Sequence, residues 1–212
     1  MRFFKILLLT VLGALIAAET VRAQSARSIL DKTATKLKGS GGLQATFEAT
    51  TFKGLSPQGT AVGTIRVQGN RFQIDSDQMS TWFDGTTQWS LLAGSNEVNL
   101  TTPTPEEIQQ INPYTFVDLY KSGYRLSVSD ATYQGKSCYE VRMVATRQGS
   151  SISEMRITID RSSYLPHSIR IREGADWTRI RVKSLATGKS WADSVFRFDS
   201  KKHPGMEIID LR

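Results

Sequence analysis

From Leu43 onward, apolar and polar residues alternate with a period of two along most of the chain. Leu43/Ala45/Phe47/Ala49 share one parity, as do Ala61/Gly63/Ile65/Val67, Phe72/Ile74, Trp89/Leu91 and Val98/Leu100. The pattern resumes at Leu126/Val128, Tyr139/Val141/Met143/Ala145, Met155/Ile157/Ile159, Ile169/Ile171 and Ile180/Val182. Successive side chains of a strand point to opposite faces, so each run reads as a strand with one greasy side. Turn residues separate the runs at Gly69-Asn70, Asp84-Gly85, Gly94-Ser95-Asn96, Gly135, Gly149 and Gly174. The expected product is about ten or eleven strands in consecutive hairpins, without an internal repeat or domain boundary.

Helical spacing occurs in two places. Ile29, Leu30, Ala34 and Leu37 fall on one face of residues 25–38, which stop at Gly39. In "TPEEIQQINPYTFVDLYKSGY", Thr104, Pro105 and Glu107 form a capping box, and Asn112-Pro113 offers a second start before Phe116, Val117, Leu119 and Tyr120. An antiparallel sheet this wide cannot leave its apolar face open to water. Two short helical segments are too few to cover it as a flat layer. Curling into a barrel or half-barrel solves the problem and leaves a concave apolar hollow, with the helices as plug or lid. The fold class expected is mainly β, with one curled antiparallel sheet, an N-terminal helix and a short helical insert.

The N-terminus reads as an address. Arg2 and Lys5 precede 13 apolar residues from Ile6 to Ala18, and Val21-Arg22-Ala23 offers a cleavage site. Thirteen residues are too few for a membrane-spanning helix. Residues 1–23 are therefore an expected signal peptide, and 24–212 an exported, periplasmic single domain expected to be monomeric. Its removal lowers the net charge from +7 to +5. The single cysteine, Cys138, excludes an internal disulfide and is expected to be buried rather than reactive.

Catalytic chemistry finds little support. His167 and His203 lie near no candidate nucleophile and read as surface residues; Gly188-Lys189-Ser190 lacks the first glycine of a phosphate loop. Asp75 and Asp77 read as turn carboxylates, and Cys/His metal spacing is absent. Neither an enzyme nor a cofactor is expected. A row of cations is more distinctive: Arg66, Arg142, Arg156, Arg170, Arg172, Arg179 and Arg181 occupy outward strand positions, diluted by Glu140 and Glu154. Export and aromatics on the opposite face exclude nucleic acid. The cationic face is either simply solvated or a docking surface for an acidic partner or anionic lipid, with Arg170, Arg172, Arg179 and Arg181 as its candidates.

Three stretches carry a family resemblance. "GTIRVQGNRFQID" resembles a Gly-x-hydrophobic-x-Val strand and its successor, "TWFDGTTQWSLLAGSNEV" an Asp-Gly-x-x-x-Trp hairpin, and "DSVFRFDSKKHPGMEIID" a closing Phe-x-Phe…Pro-x-Gly-hydrophobic strand. In that order they resemble the LolA-like periplasmic carriers of outer-membrane lipoproteins, and "INPYTFVDLYKSGY" resembles an insert of divergent members. The resemblance implies an unclosed barrel whose helical lid covers a cavity for lipoprotein acyl chains. It also implies an inner-membrane releasing transporter and an outer-membrane acceptor as partners. The expected lining is Phe47, Ile65, Val67, Phe72, Trp89, Leu91, Met143, Met155 and Ile157, and the expected lid residues are Leu37, Phe116, Leu119 and Tyr120. One departure concerns the lid: where the family often has a latching arginine before a proline, Gly69-Asn70 stands, with Arg71 as the nearest substitute. The alternative is a lipid- or lipoprotein-sensing domain acting on a membrane partner. Regulators of that kind usually carry a second domain, an arrangement not expected in a chain that ends at Arg212.

Overall fold

The computed structural model describes residues 25–39, 41–105, 107, 108, 112 and 119–212. The signal-peptide reading and Phe116 lie outside them. Residues 25–38 form helix α1. The strands that follow are β1 (Gly42–Lys53), β2 (Ser56–Gln68), β3 (Arg71–Ser76), β4 (Met79–Phe83), β5 (Gln88–Leu92) and β6 (Glu97–Thr101). Then come β7 (Tyr124–Tyr133), β8 (Lys136–Ala145), β9 (Ile152–Asp160), β10 (Pro166–Glu173) and β11 (Asp176–Lys189). A 3-10 turn at Asp193–Phe196 and β12 (Glu207–Asp210) complete the chain.

All twelve strands belong to one sheet, in the order β12-β6-β5-β4-β3-β2-β1-β11-β10-β9-β8-β7. Its edges, β7 and β12, do not meet, so the barrel stays open. Two features depart from expectation. The sheet has twelve strands rather than ten or eleven, and it is not wholly antiparallel: β12 lies parallel to β6, Ile208 opposite Val98. A parallel neighbour needs a long connection, and β7–β11 with the segment that follows them lie between β6 and β12.

Cross-strand partners share a face, so the register fixes what lies together. Val128, Val141, Ile157, Ile169, Ile180 and Ala49 form one row across β7–β11 and β1. Val67, Phe72 and Phe83 continue this concave side beyond Leu43 on β1. Ala26, Ile29, Leu30 and Leu37 of α1 are buried in the same core. Those positions recur at helical spacing, which is why one stripe of α1 packs on the sheet while the rest is solvated. At Thr46/Phe47 the register shifts by a bulge, a feature that bends a strand and increases its twist. Gly63 sits where a Cβ would come 2.4 Å from the Asp75 carbonyl oxygen and 3.0 Å from the Phe47 ring, so only glycine lets β3 and Phe47 approach.

Cys138 is buried, as expected, and burial together with nearby Asp160 pushes its thiol pKa up. The two histidines are less exposed than expected. His167 stacks on Tyr133 at 5.1 Å and lies 3.3 Å from Asp160, whereas His203 stacks on Phe198 at 5.2 Å.

Candidate functional site: the concave face and its cover

The concave face is apolar and closed. Ile65, Phe72, Met143, Met155 and Ile157, all expected lining residues, retain at most 1% exposure. Phe47 and Val67 pack against the same core, half-buried. Seven of the nine predicted lining positions are thus brought together. Trp89 and Leu91 are not. Trp89 lies opposite Trp82, and Leu91 opposite Ser80 and Val98. Those residues belong to the convex side, because Phe72 and Phe83 occupy the alternate, concave parity.

The reason is a change of greasy face along the sheet. On β5 the concave parity is held by Gln88, Ser90 and the exposed Leu92, and Trp89 and Leu91 point the other way. There the cover is the C-terminal segment: Trp82 packs edge-on against Phe198 at 5.5 Å and His203 at 5.7 Å, and Phe196 is fully buried beside Trp191. At β4 both faces are covered, Thr81 and Phe83 on one side and Trp82 on the other. Period-two alternation assigns a strand's residues to two faces but does not say which face is concave.

Three of the four expected lid residues lie among the described residues. Leu37 and Tyr120 are buried, and Leu119 packs half-buried against the core. The capping box also forms: the Thr104 amide and hydroxyl donate to Glu107 at 2.7 and 2.9 Å, and the Glu107 amide donates back at 3.3 Å. Those bonds to the ionised form hold the Glu107 carboxyl below its ordinary pKa.

Polar contacts lie at the rim of this cover. The Tyr120 hydroxyl donates to Asp31 of α1 at 2.5 Å. Arg27 reaches the Tyr120 and Lys121 carbonyls at 3.5 Å, with its guanidinium 5.9 Å from the Tyr120 ring centroid. Further along the helix, Lys32 donates to the Tyr164 hydroxyl at 3.2 Å. Sequence reasoning missed this clasp, because Arg27 and Asp31 are about ninety residues from Tyr120. Arg71 is not a lid latch: it pairs with Asp193 and lies 5.0 Å over the Phe196 ring, on the convex side. Its neighbour Phe72 points inward, so Arg71 must point outward.

Among the described residues no hydrogen bond joins a nucleophile to a histidine base. Asp160 accepts from the amides and hydroxyls of Ser162 and Ser163 on one oxygen and lies near His167 on the other. The carboxylate separates the histidine from the serines, so the cluster closes the β9–β10 turn. These bonds hold the Asp160 carboxyl well below the usual carboxylate range, the Ser162 hydroxyl contributing most. Among the described residues no group of His, Cys, Asp and Glu could hold a metal ion. No described helix is long and apolar enough to cross a membrane.

The family of the outer membrane lipoprotein carrier protein LolA matches residues 16–175. Among curated proteins, none matches the chain. Solved structures share the fold at low identity. An uncharacterized conserved protein from Thermus thermophilus is 12% identical with a TM-score of 0.58, covering 88% of this chain and 99% of that one. A DUF1329 family protein from Desulfovibrio piger is 10% identical with a TM-score of 0.51, covering 83% and 97%. MucB of Pseudomonas aeruginosa, solved in complex with MucA, is 14% identical at a TM-score of 0.41, covering 84% of this chain and 62% of that one.

Proposed function

We propose that this protein, which belongs to the LolA family of outer-membrane lipoprotein carriers, shields lipoprotein acyl chains against its concave face while they cross the periplasm. The observation that carries the reading is the kind of cover that face has. A continuous apolar surface spanning β7–β11 and β1–β3 is capped by one helix and Tyr120, and the cap is fastened at its rim by Asp31, Arg27 and Lys32. We read those rim contacts as the fastening of a lid.

Burial of one CH₂ contributes about 0.8 kcal/mol, so a fatty chain gains on the order of 10 kcal/mol before ordering costs. That is ample for capture and a hazard for release. Closure of α1 offsets part of it, because Ile29, Leu30 and Leu37 compete with the acyl chain for the same sheet surface. Loading then means lifting α1, and delivery means letting it return. The partners on this reading are an inner-membrane releasing transporter and an outer-membrane acceptor.

The test is release of an acylated lipoprotein from inner-membrane vesicles. Ile157→Asp and Val67→Asp place a charge on the concave face, and release should fall at least tenfold for variants that retain wild-type circular dichroism. Tyr120→Phe removes the hydroxyl to Asp31 without emptying the core, and should load faster than wild type. Folded lining variants that release lipoprotein normally, or native protein that recovers no acylated molecule from the periplasm, would overturn the carrier reading.

A further inference from the structure

On the convex side, Arg142, Arg156, Arg170 and Arg179 stand directly opposite one another across β8, β9, β10 and β11. Like charges so placed are destabilising. Part of the row is neutralised: Glu154 accepts from Arg142 at 2.6 and 3.0 Å and from Arg156 at 2.8 Å. One row along, Glu48 pairs with Arg181 and Lys183, each at 2.8 Å. Arg170 and Arg179 form no ion pair among the described residues.

The cations are nevertheless held in place. The Arg179 guanidinium lies 4.8 Å over the Phe52 ring, and Arg156 lies 5.5 Å over Trp177. Stacking fixes the plane of a guanidinium while leaving its donor edge free. The Arg179 Nε is buried and has no hydrogen-bond partner, an orphaned donor of the kind a ligand satisfies. A pocket of about 340 Å³ opens between these groups, lined by Phe52, Leu55, Arg156, Arg170, Trp177 and Arg179. Leu55 occupies the two-residue β1–β2 turn with Gly54, whose φ of 63° the turn requires, and is 98% exposed. The turn needs the glycine; it does not need a leucine.

We infer that this pocket binds the phosphate headgroup of an anionic membrane lipid, with Arg170 and Arg179 on the phosphate, Arg156 and Trp177 at its wall, and Leu55 entering the bilayer interface. Guanidinium forks match phosphate oxygens bidentately. A single apolar side chain thrust into solvent beside unpaired cations has the chemistry of a surface that meets headgroups and acyl chains together. The site is narrower than the expected docking face: Arg181 is paired with Glu48, which it shares with Lys183, and Arg172 lies 5.9 Å over Trp177 without lining the pocket. It is independent of what the concave face holds.

Sedimentation with phosphatidylcholine vesicles, with and without phosphatidylglycerol, tests the inference without any lipoprotein present. The wild-type chain should bind only the anionic vesicles, and less as salt rises. Each cation near a membrane surface is worth roughly fivefold in affinity, so Arg170→Gln with Arg179→Gln should weaken binding by about 25-fold. Folding is not at risk, since the exchange removes a like-charge pair. Leu55→Ser should weaken binding several-fold, whereas removing equal charge at Arg125→Gln and Lys201→Gln, both exposed elsewhere, should change it much less. Titration with soluble glycerol phosphate should shift the Arg179 Nε–H resonance. Equal binding to neutral vesicles, equal loss in both double variants, or an Nε–H resonance indifferent to glycerol phosphate would each overturn the site.

Discussion

Two regions of the sheet, β8–β11 and β4–β6, are both antiparallel meanders, yet they turn opposite faces to apolar cover. In β8–β11, Val141, Met143, Met155, Ile157 and Ile169 point into the concavity, beneath α1, and the convex side is a cationic row. In β4–β6, Trp82 and Val98 are buried on the convex side, where the segment from Trp191 to His203 lies, and Gln88 and Ser90 point inward. The strand where the change occurs, β4, is buried on both faces. The difference separates two kinds of cover. The C-terminal segment joins its region by aromatic packing, with the ion pairs Arg71–Asp193 and Arg197–Asp84 beside it, whereas α1 packs an aliphatic stripe on the sheet and adds hydrogen bonds at its rim.

The largest effect should come from cutting a tryptophan on each side of that division. Trp82→Ala removes a side chain that is 7% exposed and packed on Phe198 and His203. Truncation of a buried aromatic costs about 3–5 kcal/mol, and residues 197–205 should become protease-sensitive as the cover lifts. Trp177→Ala acts on the open convex region, where the ring is only half-buried, and should cost about 1 kcal/mol. Urea unfolding measures both. Equal losses would abolish the distinction between a fixed cover and a bare cationic face.

The cationic region has its own stability signature. Hydrogen bonds from Arg142, and then from Arg156, outweigh desolvation and hold the Glu154 pKa down to about 2, against an ordinary 4.5. A carboxyl lowered by folding stabilises the native state above its unfolded pKa, and that contribution disappears as pH falls through the folded value. Between pH 5 and pH 2 the wild type should therefore lose about 1–2 kcal/mol through this group, after allowance for screening of the part-exposed arginines. Glu154→Gln should be less stable at pH 7 and lose less over the same window. A variant whose acid profile parallels the wild type would show that the arginine row is balanced by solvent instead.

The same division explains what could be read from the sequence. Strands covered on one face alternate cleanly, so β1–β3 and β7–β11 are legible, as is α1 from Ile29, Leu30 and Leu37. In "MSTWF" the consecutive Trp82 and Phe83 serve opposite faces, and alternation vanishes. Trp89 and Leu91 alternate properly but on a strand whose greasy side is convex, and no local signal carries that information. The parallel β12 depends on a connection longer than any hairpin rule describes. The clasp of Asp31 and Arg27 on Tyr120 joins distant segments through ordinary polar residues. Arg71 is instructive in another way: its parity opposite Phe72 was sufficient to exclude it as a latch on the concave side.

The smallest expected effect concerns how Arg71 holds the C-terminal cover. It makes two contacts, an ion pair with Asp193 and a stack on Phe196. The Asp193 side chain is 80% exposed, so Coulomb attraction there is screened and the pair should contribute little. Phe196 is fully buried, and the guanidinium and its aliphatic stem help to exclude water from the ring. Asp193→Ala should consequently change stability by less than about 0.5 kcal/mol, and its effect should vanish in high salt. Arg71→Ala should cost about 1 kcal/mol, nearly independent of salt, because packing rather than charge is removed. Chemical denaturation of the two variants and their double mutant, at low and high ionic strength, measures the difference. If Asp193→Ala costs as much as Arg71→Ala and both losses fade with salt, the C-terminal cover is ionically fastened, and its contrast with α1 disappears.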